Sequence, residues 1–171
     1  MILKVSKLGV KILRETAADV DPKDVRQGRY EPFLEHMLDT MREYDGTGLA
    51  APQVFAGVRV FLYEVVPERR KKKEQAVPLT ALFNARYEPV GEEIETDSEG
   101  CLSVPFLWGD EIPRWKTIRV RAIDRGGKPV AFEADGFHAR VLQHEIDHLD
   151  GLVYLDRMKD LKSLGYTVKF G

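Results

Sequence analysis

One cysteine, Cys101, stands among the 171 residues. A lone cysteine excludes an intramolecular disulfide and a Cys2His2 zinc finger, suits a reducing compartment and leaves the thiol free for chemistry. No stretch approaches the roughly 18 apolar residues that a membrane-spanning helix needs. The N-terminus, Met1-Ile2-Leu3-Lys4-Val5-Ser6-Lys7, is broken by lysines and has neither an apolar core nor a small-residue cleavage site. That pattern excludes a secretory signal peptide, so the expected location is the cytoplasm, or an organelle matrix if a transit peptide has been removed. Charge of one sign is also missing: 26 Lys and Arg stand against 28 Asp and Glu, a net charge of −2. The balance excludes a global attraction to DNA or to an anionic membrane. Repeats and low-complexity segments are absent, and 171 residues, 43% of them hydrophobic, suffice for one core and are short for two.

What is present falls into a short set of elements. Met1 to Gly28 is irregular and reads as an extended arm and a loop, with Asp21-Pro22 as a turn. From Glu31, the residues Phe33, Leu34, Met37, Leu38, Met41 and Tyr44 recur on one helical face, and Pro32 fits the first turn. His36 in this helix reads as solvated. Asp45-Gly46-Thr47-Gly48 ends it. Val58 to Val66, Thr80 to Tyr87 and Ile94 to Ser98 read as strands, with the basic run Glu68 to Glu74 as a solvated loop tip between the first two. Thr117 to Ile123 and Pro129 to Ala134 alternate about Arg125-Gly126-Gly127-Lys128 as a hairpin. Gly136 and Gly151 bracket a second helix, and the tail offers a helical turn within Met158 to Leu164 and a strand at Thr167 to Phe170. The order predicts an α+β fold, mostly antiparallel sheet packed on two helices.

The second helix carries Gln143-His144-Glu145-Ile146-Asp147-His148, an HExxH pattern. Residues four apart on a helix lie about 40° apart around its axis, so both imidazoles face one point and Glu145 flanks it without having to be a ligand. This arrangement suits metal-assisted hydrolysis, with the carboxylate as general base toward a water that the metal activates. The pattern needs a third ligand, yet the tail after Gly151 contains neither His nor Glu. The usual downstream donor of HExxH endopeptidases is therefore missing. His138, about 240° around the axis from His144, cannot join the same metal. Cys101, in Glu99-Gly100-Cys101-Leu102-Ser103, is set between two fates. Inert burial is the commoner one for a lone cysteine. A Cys-His-His set would instead fill three tetrahedral positions and leave the fourth open, as catalytic sites do.

Three short motifs stand in order: Gly46-Thr47-Gly48-Leu49-Ala50-Ala51-Pro52-Gln53, then Glu99-Gly100-Cys101-Leu102-Ser103, then Gln143-His144-Glu145-Ile146-Asp147-His148. Together they resemble the motifs of the peptide deformylase family, and the likeness runs from about Val5 to Met158. The resemblance implies one catalytic domain over residues 1–171, with antiparallel sheet around a central HExxH helix and a second amphipathic helix. It implies a metal-dependent hydrolase that removes the N-formyl group from the formyl-methionine of nascent polypeptides and releases formate. In that reading Cys101, His144 and His148 hold the metal and Glu145 is the acid and base. Gln53 and the Leu102 backbone N–H stabilise the oxyanion, while Gly48 and Gly100 contact the substrate backbone. Phe137 and Val141, just before His144, are candidates for the methionine pocket. The implied metal is one divalent ion, Fe2+ physiologically, with Zn2+, Ni2+ or Co2+ as alternatives. The implied partners are formylated nascent peptides and, transiently, the ribosome, with neither DNA nor membrane.

Three features depart from the family pattern. Arg140 stands where many bacterial members have an aliphatic residue and resembles the organelle-type and related bacterial subgroup. Phe106-Leu107-Trp108-Gly109 is unusually bulky and either lines the cleft or packs on the sheet. The long basic C-terminal helix associated with ribosome docking is missing, which argues against docking by that route, and the sequence does not decide whether Arg69 to Lys73 substitutes for it. The competing readings are an HExxH endopeptidase, disfavoured by the missing downstream ligand, and a non-enzymatic binder of formylated N-termini. Retention of Glu145 disfavours the second, because a binding module has no use for a base.

Overall fold

The computed structural model describes residues 1–67 and 75–166. Among these residues three α-helices, α1 (Pro22–Arg26), α2 (Glu31–Glu43) and α3 (Gly136–Leu149), accompany eight strands. These are β1 (Gly48–Ala50), β2 (Val60–Val65), β3 (Val77–Pro89), β4 (Ile94–Cys101), β5 (Val104–Trp115), β6 (Thr117–Asp124), β7 (Pro129–Asp135) and β8 (Leu164–Tyr166). One sheet has the order β1-β2-β3-β6-β7 and the other β4-β5-β8, with antiparallel pairing throughout. The expected α+β architecture is thus present.

Side-chain alternation explains why the larger sheet carries a helix on each face. Along β2, Phe61 and Tyr63 join the cluster formed with Leu142, Ile146 and Leu149 of α3. Val60 and Leu62 point the other way and pack with Leu34, Met37 and Met41 of α2. A strand covered on both faces reads as a continuous apolar run, which is what Val60-Phe61-Leu62-Tyr63 shows. The smaller sheet has a cluster of its own, in which Val104 and Ile112 pack on Tyr154. The β6–β7 hairpin forms where expected, its turn held by Gly127 N and Lys128 N on the Asp124 carbonyl and carboxylate, each at 2.9 Å.

Several sequence expectations shift. The N-terminal arm is not loop alone: a 3-10 turn spans Lys11–Arg14, and α1 starts where the Asp21 carboxylate accepts from Lys23 N at 2.8 Å. Asp before Pro is as good a helix start as a turn, because Asp caps and Pro fits N1. Tyr44 is the C-cap of α2 rather than part of its buried face and is 46% exposed. The strand expected from Val58 begins at Val60, with Val58 making only a single bridge to Ala18. The tail's helical turn is Leu161–Ser163 and is followed at once by β8. The expectations for Glu68 to Glu74 and for Thr167 to Phe170 lie outside the described residues. At the end of α3, Gly151 has φ +76 and a Cβ there would stand 2.8 Å from the Arg14 carbonyl carbon, so only glycine lets the arm cross the helix end.

Candidate metal centre and cleft

Helix α3 and the end of β4 bring three ligand-bearing side chains together. The donor atoms of Cys101, His144 and His148 all lie within 4.8 Å of one another, and Cys101 Sγ is 3.2 Å from His148 Nε2. His144 Nδ1 lies 2.8 Å from Glu99 Oε2, which fixes the ring and leaves its other nitrogen for the cluster. Burial opposes ionisation of Cys101, but His148 and His144 outweigh it and hold the thiol well below its usual range. Burial likewise opposes protonation of His144, and the Cys101 sulfur and Glu99 override it. One soft thiolate and two imidazoles at this spacing fit a single divalent transition ion, and His138 stands apart from them, bonded to Tyr63 Oη at 3.0 Å.

Beside the cluster sits a carboxylate with no protein partner on one oxygen. Glu145 is 4% exposed, and its Oε2 finds no hydrogen bond among the described residues. Burial pushes this carboxyl up to about 7. Gly48 makes room for it: a Cβ at Gly48 would stand 2.6 Å from Glu145 Cδ. The space at Gly48 is thus taken up by the Glu145 carboxylate itself. Nothing lies within 4 Å of a Cβ at Gly100, which faces open space in the cleft.

Gln53 is held on both sides. Its Oε1 accepts from Ala50 N at 2.8 Å, while Nε2 lies 3.2 Å from Ser103 Oγ and 3.5 Å from Cys101 Sγ. The N-terminal arm ties this loop to the cysteine turn. Ser6 N donates to the Gln53 carbonyl and Leu8 N to the Ser103 carbonyl, each at 2.8 Å, and Lys7 Nζ donates to the Leu102 carbonyl at 2.9 Å.

These groups sit in a cleft of about 810 Å³, within the size range of a site that engulfs an extended ligand. Phe137, Arg140 and Val141 line it together with His144, as expected for residues on one face of α3. Phe106 and Leu107 also line it, whereas Trp108 packs on β8, where a Cβ at Gly165 would stand 2.6 Å from the indole nitrogen. Both alternatives weighed for the bulky segment are thus realised, by different residues.

Sequence reasoning missed the charges beneath the centre. Glu99 accepts from Arg114 Nε and Nη2 at 2.8 and 2.9 Å and from Arg140 Nη1 at 2.7 Å, in addition to facing His144. Burial works against its charge, but Arg114 and His144 hold the carboxyl far below the usual range. Asp147, on α3 between the two histidines, takes Arg157 Nη2 at 2.6 Å and Arg114 Nη1 at 2.5 Å. One signal was available: Glu99 stands two residues before Cys101 in a strand, and such pairs share a face.

A family model described as polypeptide deformylase matches residues 2–164. The chain is 40% identical to peptide deformylase 1 of Nitrosomonas europaea over 167 residues, covering 98% of this chain and 93% of that one. It is 41% identical to peptide deformylase 1 of Bordetella pertussis with the same coverage. Among solved structures, the Met-Ala-Ser-bound class I type b peptide deformylase of Acinetobacter baumannii superposes with a TM-score of 0.87 at 32% identity, covering 92% of this chain and 99% of that one. The peptide deformylase of Thermus thermophilus gives 0.79 at 34% identity, with 92% and 86% covered. With family model, sequence relatives and backbone agreeing over nearly the full length, and with the Cys-His-His cluster in place, the chain belongs to the polypeptide deformylase family.

Proposed function

We propose that this chain hydrolyses the bond between the formyl carbon and the α-nitrogen of formyl-methionyl peptides at the floor of the cleft, releasing formate. The observation that carries the reading is the Cys101, His144 and His148 cluster beside the buried Glu145 carboxylate with its partnerless oxygen. The three side chains would hold one divalent cation, which supplies Lewis acidity and draws the pKa of a water toward neutrality. Glu145 takes that water's proton and returns it to the leaving amine, a task that suits a carboxyl lifted by burial toward the working pH. Gln53 Nε2 and the Leu102 N–H donate to the formyl oxygen as it gains charge. Their spacing is held by Ser6, Lys7 and Leu8, which bridge the two loops. The methionine side chain lies along Phe137 and Val141, with Gly48 and Gly100 beside the peptide backbone.

The donor set is chemically compatible with Fe2+, Zn2+, Ni2+ and Co2+, and affinity order alone does not choose iron. The family resemblance makes Fe2+ the physiological ion in this proposal and nascent polypeptides in the cytoplasm the substrates. A transient ribosome contact belongs to the same reading, and the basic run from Arg69 to Lys73 that would serve it lies outside the described residues. Among the described residues, no helix is long and apolar enough to cross a membrane. The test is metal analysis of anaerobically purified protein, paired with formate release from formyl-Met-Ala-Ser. An endopeptidase would instead cut internal bonds of an unformylated peptide. Formate release without bound metal would overturn the assignment of the cluster.

A further inference from the structure

The mouth of the cleft carries an aromatic ring that neither the core nor the proposed chemistry uses. Phe106 lines the cleft yet is 64% exposed, and its φ is +67. That left-handed conformation is uncommon for any residue with a side chain and strained for a bulky one. The strand ladder gives the cause. Gly100 pairs with Trp108 and Cys101 with Val104, so one step along β4 spans Pro105, Phe106 and Leu107 on β5. The three residues are thrown out as a bulge beside the metal-binding cysteine, and bulges near active sites commonly re-aim a side chain. Leu107 then rejoins a ladder opposite Tyr166. The Tyr166 ring, itself 65% exposed, lies 6.2 Å from the Phe106 ring at an interplanar angle of 37°.

Stability does not account for this arrangement. A ring left mostly in water contributes little burial, and glycine would occupy the same backbone position without strain. Backbone strain next to a site is the kind of outlier from which a functional role is inferred. The cleft offers the matching ligand. Its volume of about 810 Å³ is far larger than one formyl-methionyl residue. The metal cluster and Glu145 sit at its buried floor, so a peptide fixed there by its formyl end has to leave past the exposed rim.

We propose that Phe106, backed by Tyr166, is a specificity-determining residue that stacks on the side chain of the first or second residue after methionine. The chain therefore favours formyl-methionyl peptides with a large apolar or aromatic residue there. The proposal rests on the deformylase reading above. Aromatic contacts of this kind change affinity by about two- to tenfold.

The experiment compares kcat/KM of the metal-loaded protein for formyl-Met-Ala-Ser, formyl-Met-Phe-Ser and formyl-Met-Ala-Phe, in the natural chain and in Phe106→Gly and Phe106→Leu. Expected for the natural chain is a preference of about two- to tenfold for one or both aromatic peptides. Phe106→Gly should bring the ratios close to one while melting no lower than the natural chain, because it removes the ring and relieves the backbone together. Phe106→Leu, which keeps an apolar side chain at the same φ, should fall between them and preserves the test should the glycine variant fold poorly. Formate release with equal rates on all three peptides, or a preference that survives both substitutions, would refute the role of Phe106 and leave the deformylase reading standing. Release from none of the three peptides would sink the activity itself and the proposal with it.

Discussion

Replacing Glu99 by Gln tests whether the charges under α3 hold the metal centre together. The change is nearly isosteric but removes the negative charge that receives four donors, two from Arg114 and one each from Arg140 and His144. The Glu99 and Arg114 side chains are only 5% and 2% exposed, so water cannot take over. Breaking a buried pair by removing one partner costs about 3–5 kcal/mol. The low end applies here, because Arg114 keeps Asp147 and Arg140 keeps the carbonyls of Ile112 and Glu95. At about 2–4 °C per kcal/mol for a chain of this size, 3 kcal/mol lowers Tm by roughly 6–12 °C. Metal affinity should fall about 10- to 100-fold, since the carboxylate that orients His144 is lost. The assays are thermal unfolding of the metal-free protein and metal competition against a chelator. Glu133→Gln is the control: its 2.6 Å bond to Arg119 joins side chains about half exposed, where solvent screens the charges and the pair matters little to stability. Equal behaviour of the two variants, or a Glu99→Gln protein with unaltered metal affinity, would refute the reasoning.

Glu145→Gln should retain its metal and lose about 10²–10⁴ in turnover, as metal analysis beside formate assays would reveal; loss of the metal would contradict the role of base. Gln53→Ala should lower kcat by about 10²–10³ with a smaller change in KM, and an effect confined to KM would make Gln53 a substrate-binding residue instead. Gly48→Ala places a methyl group into the Glu145 carboxylate, so activity should collapse while metal content stays whole; full activity would mean that the carboxylate can move aside. His138 supplies a pH prediction. Burial holds its pKa below the ordinary 6.5, so as pH falls through about 6.5 the unfolded chain gains the proton first and the folded state loses stability. Melting curves at pH 7.5 and pH 5 should show a smaller acid loss in His138→Gln than in the natural chain, and an identical loss would exclude His138 as a source.

The elements legible in the sequence were those whose periodicity is local. Helix α2 followed from its apolar spacing, and the β6–β7 hairpin from alternation on either side of a glycine-bearing turn. Strand β5 was hidden because Pro105, Gly109 and Pro113 punctuate it as a loop would be punctuated. It is nevertheless a strand: Pro105 falls in the bulge between Val104 and Trp108, while Gly109 and Pro113 stay in register opposite Glu99 and Thr96. At the site, the missing downstream ligand made Cys101 one candidate among two readings, and the family resemblance assigned it to the HExxH helix. The arginines could not be placed by any such omission. Arg114 and Arg140 are 15 and 41 residues from Glu99, and a charged residue in an amphipathic segment reads as solvent-facing until the fold brings its partner to it.

Arg140 shows how far that ambiguity reaches into function. As a charge lining the cleft it would argue against an apolar pocket for methionine. Its position supplies the answer. With Phe137 and Val141 it occupies the i, i+3 and i+4 positions of one face of α3, leading to His144 one turn on. Its guanidinium, however, is turned into the wall, where Nη1 bonds Glu99 and the Ile112 carbonyl and Nη2 bonds the Glu95 carbonyl. With the head group committed, what remains for the cleft is the aliphatic stem, which covers apolar surface as such stems do. An arginine here can therefore sit in a hydrophobic wall at no cost to its character, while the same residue braces Glu99, and through Glu99 the ring of His144.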